Sequence, residues 1–258
     1  MTQDKTNIYI NPDVIKWSCH LDTWSNEGMP RVRRSYDTLD HALSLVDGEA
    51  SEFRIADAIM NLKRAINVRL KLLDELYCFS HVTGLKKLGA LERLEAVGLA
   101  KPFIVKQLFD LRNDIEHNDA APPSMNRVKE LLDITWYFLR STDSAAGNHS
   151  RTLFFENEDG EDGDDGDSSL WLEVTPFSAS SSCTKIRGWL APPYISHQTG
   201  WEVSIDSIEK PPVSARGKGL EYFKRHGKRR SDQRHIVGSI NVQVESIMPL
   251  WKRMFSLI

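Results

Sequence analysis

The pattern of apolar residues changes near Asp143, and this change constrains the fold more than any other feature of the chain. Before this point the apolar residues recur at intervals of three and four, which is the spacing of amphipathic helices. After Arg151 they fall into short runs rich in β-branched and aromatic residues, which are typical of strands. The sequence therefore predicts an α+β protein in which an N-terminal all-α bundle is followed by a small, mostly β domain.

Glycines, prolines and runs of charged residues mark the expected boundaries between segments of the chain. We expect an extension with a first amphipathic helix over 1–50, a helical domain over 51–145 and a β-rich domain over 151–258. Helices are predicted at 31–47, from about 55 to 76, at 90–97, from Pro102 onward and after Ser124. The helix after Pro102 has the apolar stripe Ile104, Leu108, Leu111 and Ile115. In the helix after Ser124, Trp136 and Tyr137 are expected to add to the buried side. Strands are predicted at 153–155, 169–174, 185–190, 201–205 and 236–244.

Composition narrows the class of protein. The three cysteines are far apart and odd in number, which argues against a disulfide framework or a zinc knuckle. The residues after Met1 lack the apolar segment of a signal peptide, and no apolar run approaches the length of a membrane span. We therefore expect a cytoplasmic protein that is not inserted in a membrane. Since the net charge is −3, contact with nucleic acid requires a local basic patch.

Three polar residues near the end of the fourth predicted helix carry the clearest chemical signal. Arg112 is a permanent cation of the kind that binds phosphate, and histidine, as at position 117, transfers protons near neutral pH. Asn113 and His117 are four residues apart and share a helix face, whereas Arg112 lies about 140° from His117 around the axis. Such a set of side chains is suited to cutting RNA without a metal.

The order arginine, polar residue, a few further residues and histidine resembles the signature of the HEPN family (higher eukaryote and prokaryote nucleotide-binding). The resemblance covers roughly 51–142, where the order of long helices also fits. It implies an HEPN-like bundle that acts as a homodimer, with copies of Arg112 and His117 meeting in a composite site. It also implies an endoribonuclease that needs no metal or cofactor, with a cognate antitoxin or a defence partner in a toxin–antitoxin or antiviral system.

The resemblance assigns a role to each residue of the motif. The 2′-hydroxyl of the RNA would attack the adjacent phosphate and leave a 2′,3′-cyclic phosphate and a 5′-hydroxyl. His117 would act as general acid or base, Arg112 would stabilise charge on the phosphate oxygens, and Asn113 would orient Arg112 or the phosphate.

A structural interpretation of the motif stays open beside the catalytic one. Arg112 and Glu116 are four apart and can form a surface ion pair, while His117 can complement the helix dipole. The chain would then be a non-catalytic helical module whose β domain binds a protein or nucleic-acid partner.

Two basic regions are further candidates for binding nucleic acid. The second predicted helix has a polar outer side, which is either solvated or lines an RNA groove through Arg64 or Asn61; its members are Asn61, Lys63, Arg64, Asn67, Arg69 and Lys71. The basic run 216–235 includes Lys224, Arg225, Lys228, Arg229 and Arg230. Tyr222 and Phe223 lie within this run, so it is suited to binding phosphates and stacking bases. The alternative is a flexible, solvated connection.

The acidic loop 156–167 has carboxylates at some of the spacings of a calcium loop. However, Gly166 and Asp167 stand in the reverse of the EF-hand order, and the flanks are predicted strands. We interpret this loop as a solvated hairpin tip and predict no metal site.

Overall fold

The structure is a computed structural model of the chain. It describes residues 7–25, 30–47, 51–118, 120–157, 170–175, 184–196, 200–209, 233–240 and 244–257. The chain divides into two units. The β unit comprises Met1–Thr23 and Ser150–Leu257, and the helical unit comprises Trp24–His149.

The helical unit contains the helices that the apolar spacing predicts. Its helices are α1 (Pro30–Val46), α2 (Glu52–Tyr77), α3 (Ala90–Ala96), α4 (Phe103–His117), α5 (Met125–Ser141) and α6 (Asp143–Gly147). Side-chain caps begin α2 and α5, because Ser51 accepts a hydrogen bond from the backbone of Arg54 and Ser124 accepts one from that of Arg127. The left-handed backbone of Cys78, with φ 56°, ends α2.

Arg69 is fully buried in α2, so its assignment to the polar outer side of this helix is wrong. The reason lies in the helical period, because Arg69 continues the buried stripe that contains Leu62, Ile66 and Leu73. A long basic side chain at such a position must find partners inside the protein.

The partners of Arg69 come from three other helices or their ends. Its Nη1 donates to the Leu139 carbonyl at 2.9 Å and to Thr142 Oγ1 at 3.0 Å. Its Nη2 donates to Ser35 Oγ at 3.2 Å, and both nitrogens lie 3.0 Å from Asp143 Oδ1. One guanidinium thus joins α2 to α1, to the end of α5 and to the start of α6.

The buried face of α4 differs from the predicted stripe. Ile104 is 51% exposed, whereas Val105 and Leu108 are buried. Leu111 and Ile115, also in the predicted stripe, are partly buried. The buried face therefore begins at Val105 and not at Ile104. Arg112, four residues after Leu108, lies on this packed side of α4.

The packed face of α5 is confirmed in its aliphatic part and wrong in its aromatic part. Val128, Leu131, Leu132, Thr135 and Leu139 are buried, as predicted. Trp136 and Tyr137 were expected to add to this face but are 43% and 66% exposed. They pack edge to face with each other, and the Arg140 guanidinium lies 5.4 Å from the ring centre of Trp136. Their contacts with each other and with Arg140 partly shield the aromatic rings outside the core.

The β unit contains one eight-stranded sheet in the part of the chain that the structure describes. Its strands are β1 (Asn7–Ile10), β2 (Ser18–Ser25), β3 (Asn148–Asn157), β4 (Leu170–Thr175), β5 (Thr184–Leu190), β6 (Ile195–Ser196), β7 (Trp201–Glu209) and β8 (Arg234–Ile240). The spatial order is β2-β3-β4-β5-β8-β7-β1-β6. In this spatial order, from β3 to β6 at the end of the sheet, each strand pairs antiparallel with the next. Gly238 on β8 must lack a side chain, since a Cβ there would lie 2.6 Å from the Ser204 carbonyl oxygen.

The five predicted strands are present, but the sequence pattern missed other elements of the β unit. No strand was predicted before α1, yet β1 and β2 lie in the sheet, so the expected extension 1–50 is divided between the two units. The predicted strand 236–244 ends at Ile240, and Val244 instead begins helix α7 (Val244–Phe255). The helical spacing of Leu250, Trp251, Met254 and Phe255, all buried, explains α7, which Pro249 obscures in the sequence.

Several candidate residues fall outside the described residues. They are residues 158–167 of the acidic loop and, in the basic run, Lys224, Arg225, Lys228, Arg229 and Arg230. Among the helices that the structure describes, none combines the length and the apolar character needed to cross a membrane.

The Arg69–Asp143 pair should be far more sensitive to loss of the carboxylate than to loss of the cation. Asp143→Ala strands a buried guanidinium, which should lower the free energy of unfolding by about 3–5 kcal/mol. Arg69→Met should cost less, because the Asp143 side chain is 30% exposed and keeps Arg140 and Tyr36 as partners. Urea unfolding followed by circular dichroism measures both losses.

Arg127→Met is the control, since it breaks the exposed Arg127–Glu130 pair and should change stability by less than about 1 kcal/mol. An Asp143→Ala loss no larger than that of Arg69→Met would contradict the structural role assigned to this pair.

Candidate functional site

The three residues of the motif lie in the last turns of α4 with different exposures. The Arg112 side chain is 20% exposed and the His117 side chain 67%. Asn113 is exposed. The helix ends after His117, where the backbone N–H of Asn118 donates to the Asp114 carbonyl at 3.0 Å. Arg112 is therefore held by packing, while Asn113 and His117 are accessible from outside the helix.

Glu116 connects Arg112 to His117. Arg112 Nη1 forms an ion pair with Glu116 Oε2, and the same oxygen lies 3.4 Å from His117 Nε2. The ion pair that the structural interpretation expected is thus present, but its carboxylate also contacts the histidine. Sequence spacing treated Glu116 as a partner of Arg112 alone and missed this second contact.

Lys63 of α2 extends the cluster across to a second helix. Its Nζ donates to Asn113 Oδ1 at 3.3 Å, and the same oxygen accepts from Arg112 Nη1 at 3.2 Å. The ammonium also lies 5.3 Å from the centre of the Phe109 ring, within cation–π range. Burial first, and the charge of Arg112 second, lower the pKa of Lys63 from its ordinary value. Asn113 therefore bridges two cations that repel each other.

A cleft of about 630 Å³ opens beside this cluster. Arg112 lines it together with Arg34 of α1 and one face of α2, whose lining residues are Met60, Lys63, Arg64, Asn67, Val68, Lys71, Leu72 and Glu75. Arg64, one of two α2 residues expected to line a groove, thus lies in the same cleft as Arg112. Asn61, the other, is not among the lining residues, and its side chain donates to the Asp57 carbonyl within α2 at 2.8 Å.

The cleft is strongly positive. Its lining has five basic side chains and one carboxylate, that of Glu75. Within the described ranges, Arg34, Arg64 and Lys71 form no ion pair, although all three are exposed. Elsewhere in this unit, exposed arginines do pair with carboxylates, as Arg127 does with Glu130. Concentrated positive charge without neutralising partners suits an anionic ligand.

Outside the cleft and the α4 motif, the described residues contain fewer candidates for a functional site. No group of three histidine, cysteine or acidic side chains that could hold a metal occurs among the residues whose structure is described. From the end of the basic run 216–235, Arg234 and His235 lie on β8. Of the predicted functional residues, Arg64 and Arg112 line the same cleft, while Asn113 and His117 are connected to Arg112 but are not among the residues that line the cleft.

No protein-family model, curated protein or solved structure matches this chain. The resemblance to the HEPN family consequently rests on the motif and the order of the helices, and it stays a prediction. The sequence did not single out Arg34 or Glu116 as functional residues. Glu116 was expected only as an ion-pair partner of Arg112 one helical turn away, whereas Arg34 is far from Arg112 in sequence and only the fold places it in the same cleft.

Lys63 should titrate below the ordinary lysine value of 10.5. Arg112→Gln should raise its pKa only part of the way back, because burial is the larger cause and remains. Since the unfolded chain holds this proton to higher pH than the folded protein, the Lys63 contribution to the free energy of unfolding rises with pH through that interval. NMR titration of the lysine ε-methylene groups measures the pKa.

Arg127→Gln removes an arginine outside the cleft and should leave the Lys63 titration unchanged. A Lys63 pKa that Arg112→Gln fails to raise would show that the two cations do not interact.

Proposed function

We propose that the chain is a metal-independent endoribonuclease of the HEPN type, with its active site on the helical unit. The observation that supports this most directly is that Arg112 belongs both to the basic cleft and to the group of contacts around His117. Its guanidinium lines the basic cleft and also meets the carboxylate that contacts His117. A phosphate group bound at this arginine would therefore lie near a histidine that is open to solvent.

The proposed reaction needs a base, an acid and a stabilised phosphate. The base takes the proton of the ribose 2′-hydroxyl, whose oxygen forms a bond to the adjacent phosphorus. The bond from phosphorus to the 5′-oxygen breaks, and the acid protonates that oxygen. His117 serves as general acid or base, and Arg112 stabilises the charge that develops on the non-bridging oxygens. Asn113 orients Arg112 through their hydrogen bond.

The proposal includes a homodimer. The motif supplies one proton carrier per chain, whereas the reaction uses a base on one side of the phosphorus and an acid on the other. Two-fold symmetry would bring a second His117 and a second Arg112 to the same phosphate. The exposure of Asn113 and His117 leaves room for such an approach.

The compartment and the biological partner complete the proposal. The protein would act in the cytoplasm on host or invader RNA, as a toxin or an antiviral effector. An enzyme that cuts cellular RNA requires restraint, so a cognate antitoxin or a defence partner belongs to the proposal.

The second candidate is a non-catalytic helical module that binds a partner. The Arg112–Glu116 ion pair favours it, because a cation engaged by its own helix is less free for catalysis. This candidate predicts binding without cleavage, which the next experiment distinguishes.

His117 and Arg112 should be required for RNA cleavage in the presence of EDTA. His117→Ala removes the proton carrier and should lower kcat/KM by about 10²–10⁴-fold. Arg112→Ala should cost about 10²–10³-fold, and Arg112→Lys should recover part of that loss because it keeps the charge but not the planar fork. Gel analysis of single-stranded RNAs of varied sequence measures cleavage, and mass spectrometry should find 2′,3′-cyclic phosphate ends.

His41→Ala, which removes an exposed histidine of α1, is the matched control and should cleave as the wild type does. Intact RNA with wild-type protein, or equal cleavage by His117→Ala, would reject the ribonuclease in favour of the binding module.

A composite site should be detectable from the activity of a mixture of wild type and the His117→Ala variant. Sedimentation at micromolar concentration should give a dimer. After subunit exchange, an equal mixture of wild type and His117→Ala should retain about one quarter of the activity of the same total amount of wild type, because only wild-type pairs have both histidines. Retention of one half, or sedimentation as a monomer with and without RNA, would refute the shared site.

A further inference from the structure

The cleft follows one face of α2 over most of the helix. The residues of α2 that line it begin at Met60 and recur every three or four positions as far as Glu75. At 1.5 Å per residue, this face extends over about 22 Å, or about four helical turns. A ligand that contacts the whole face must be elongated.

The cations of the cleft are spread along this length. Arg64 and Lys71 are about two turns apart, which places them about 10 Å from each other along the helix axis. Arg34 reaches the cleft from α1, and Arg112 reaches it from α4. One phosphate ion cannot neutralise all four, so the charges fit an anion with several charged groups in a row.

Between the cations the cleft has apolar and amide groups. Met60, Val68 and Leu72 contribute apolar side chains, and Asn67 contributes an amide. Grooves that bind single-stranded nucleic acid combine cations for the backbone with side chains that contact the faces of bases, often aromatic ones. In this cleft only the aliphatic side chains and the Asn67 amide can make such contacts. The volume of about 630 Å³ is that of a site for a small ligand, so the expected occupant is a single strand and not the much wider duplex.

We propose that this cleft binds single-stranded RNA through its backbone, with Arg34, Arg64 and Lys71 on phosphates neighbouring the one at Arg112. The inference rests on the proposed function for its choice of RNA and adds the substrate-binding surface and the single-stranded form. It assigns a role to three residues that the motif does not include.

The test measures binding separately from cleavage. A 2′-O-methyl oligonucleotide lacks the attacking hydroxyl, so it binds without being cut, and fluorescence anisotropy gives its affinity for the full chain over a series of salt concentrations. For single strands the slope of log K against log salt is about −0.7 per phosphate contact. The triple variant Arg34→Ala, Arg64→Ala, Lys71→Ala should therefore have a slope shallower by about 2.

The matched control is Lys86→Ala, Lys87→Ala, Lys129→Ala. It removes the same charge from exposed positions of the helical unit that do not line the cleft. It should keep the wild-type slope. Both triple variants should unfold in urea as the wild type does, because all six side chains are exposed.

Three results would overturn the inference: equal slopes for the two triple variants, equal affinity of the wild type for a duplex of the same length, or equally effective competition by polyglutamate. Cleavage is a separate readout. If the oligonucleotide binds with the expected cleft dependence while unmodified RNA stays intact, the binding surface stands and the ribonuclease fails. If unmodified RNA is cut but the cleft variant keeps the wild-type slope, the ribonuclease stands and this inference fails.

Discussion

The buried guanidinium of Arg69 fixes the orientation on which the candidate site depends. A rotation of α2 about its axis would separate Arg69 from Ser35, Thr142 and Asp143 and leave a buried charge without partners, at a cost of several kcal/mol. Lys71, two residues further on, lies about 160° away around the helix. By holding one side of α2 against the bundle, Arg69 directs the opposite side into the cleft.

Two basic residues of α2 show how context decides the role of a side chain. Arg69 is surrounded by acceptors and one carboxylate, so burial strengthens its attractions to the neighbouring helices. Lys63 has a neutral amide, an aromatic ring and a second cation around it, and its pKa falls. The first residue stabilises the fold. For the second, burial and the charge of Arg112 disfavour the protonated form, and an anion bound in the cleft would reduce that penalty.

The helical period and the caps could be predicted because they depend on residues close in sequence. The buried residues Leu131, Leu132 and Leu139 of α5 and the cap Ser124 are examples. The partners of Arg69 could not be predicted, since Ser35 and Asp143 are 34 and 74 residues away. The same holds for β1, a strand of four residues whose Ile8 pairs with Val203. In the site, Arg112, Asn113 and His117 could be named from their spacing. Arg34, which approaches Arg112 only through the packing of α1, could not.

Arg112 couples substrate binding to chemistry in the proposed enzyme. Its pair with Glu116 spans one turn of α4, and such pairs contribute only about 0.2–0.5 kcal/mol. A phosphate offers two oxygens to the planar fork of an arginine, and charge-assisted bidentate contacts are stronger than that. The ion pair therefore orders the side chain in the free protein without preventing it from binding a substrate. If a phosphate replaced Glu116 as the partner of Arg112, the Glu116 carboxylate would keep only its contact with His117. In the proposed enzyme, binding of the phosphate would thus also change the electrostatic surroundings of the histidine, and Arg112 would connect the two steps.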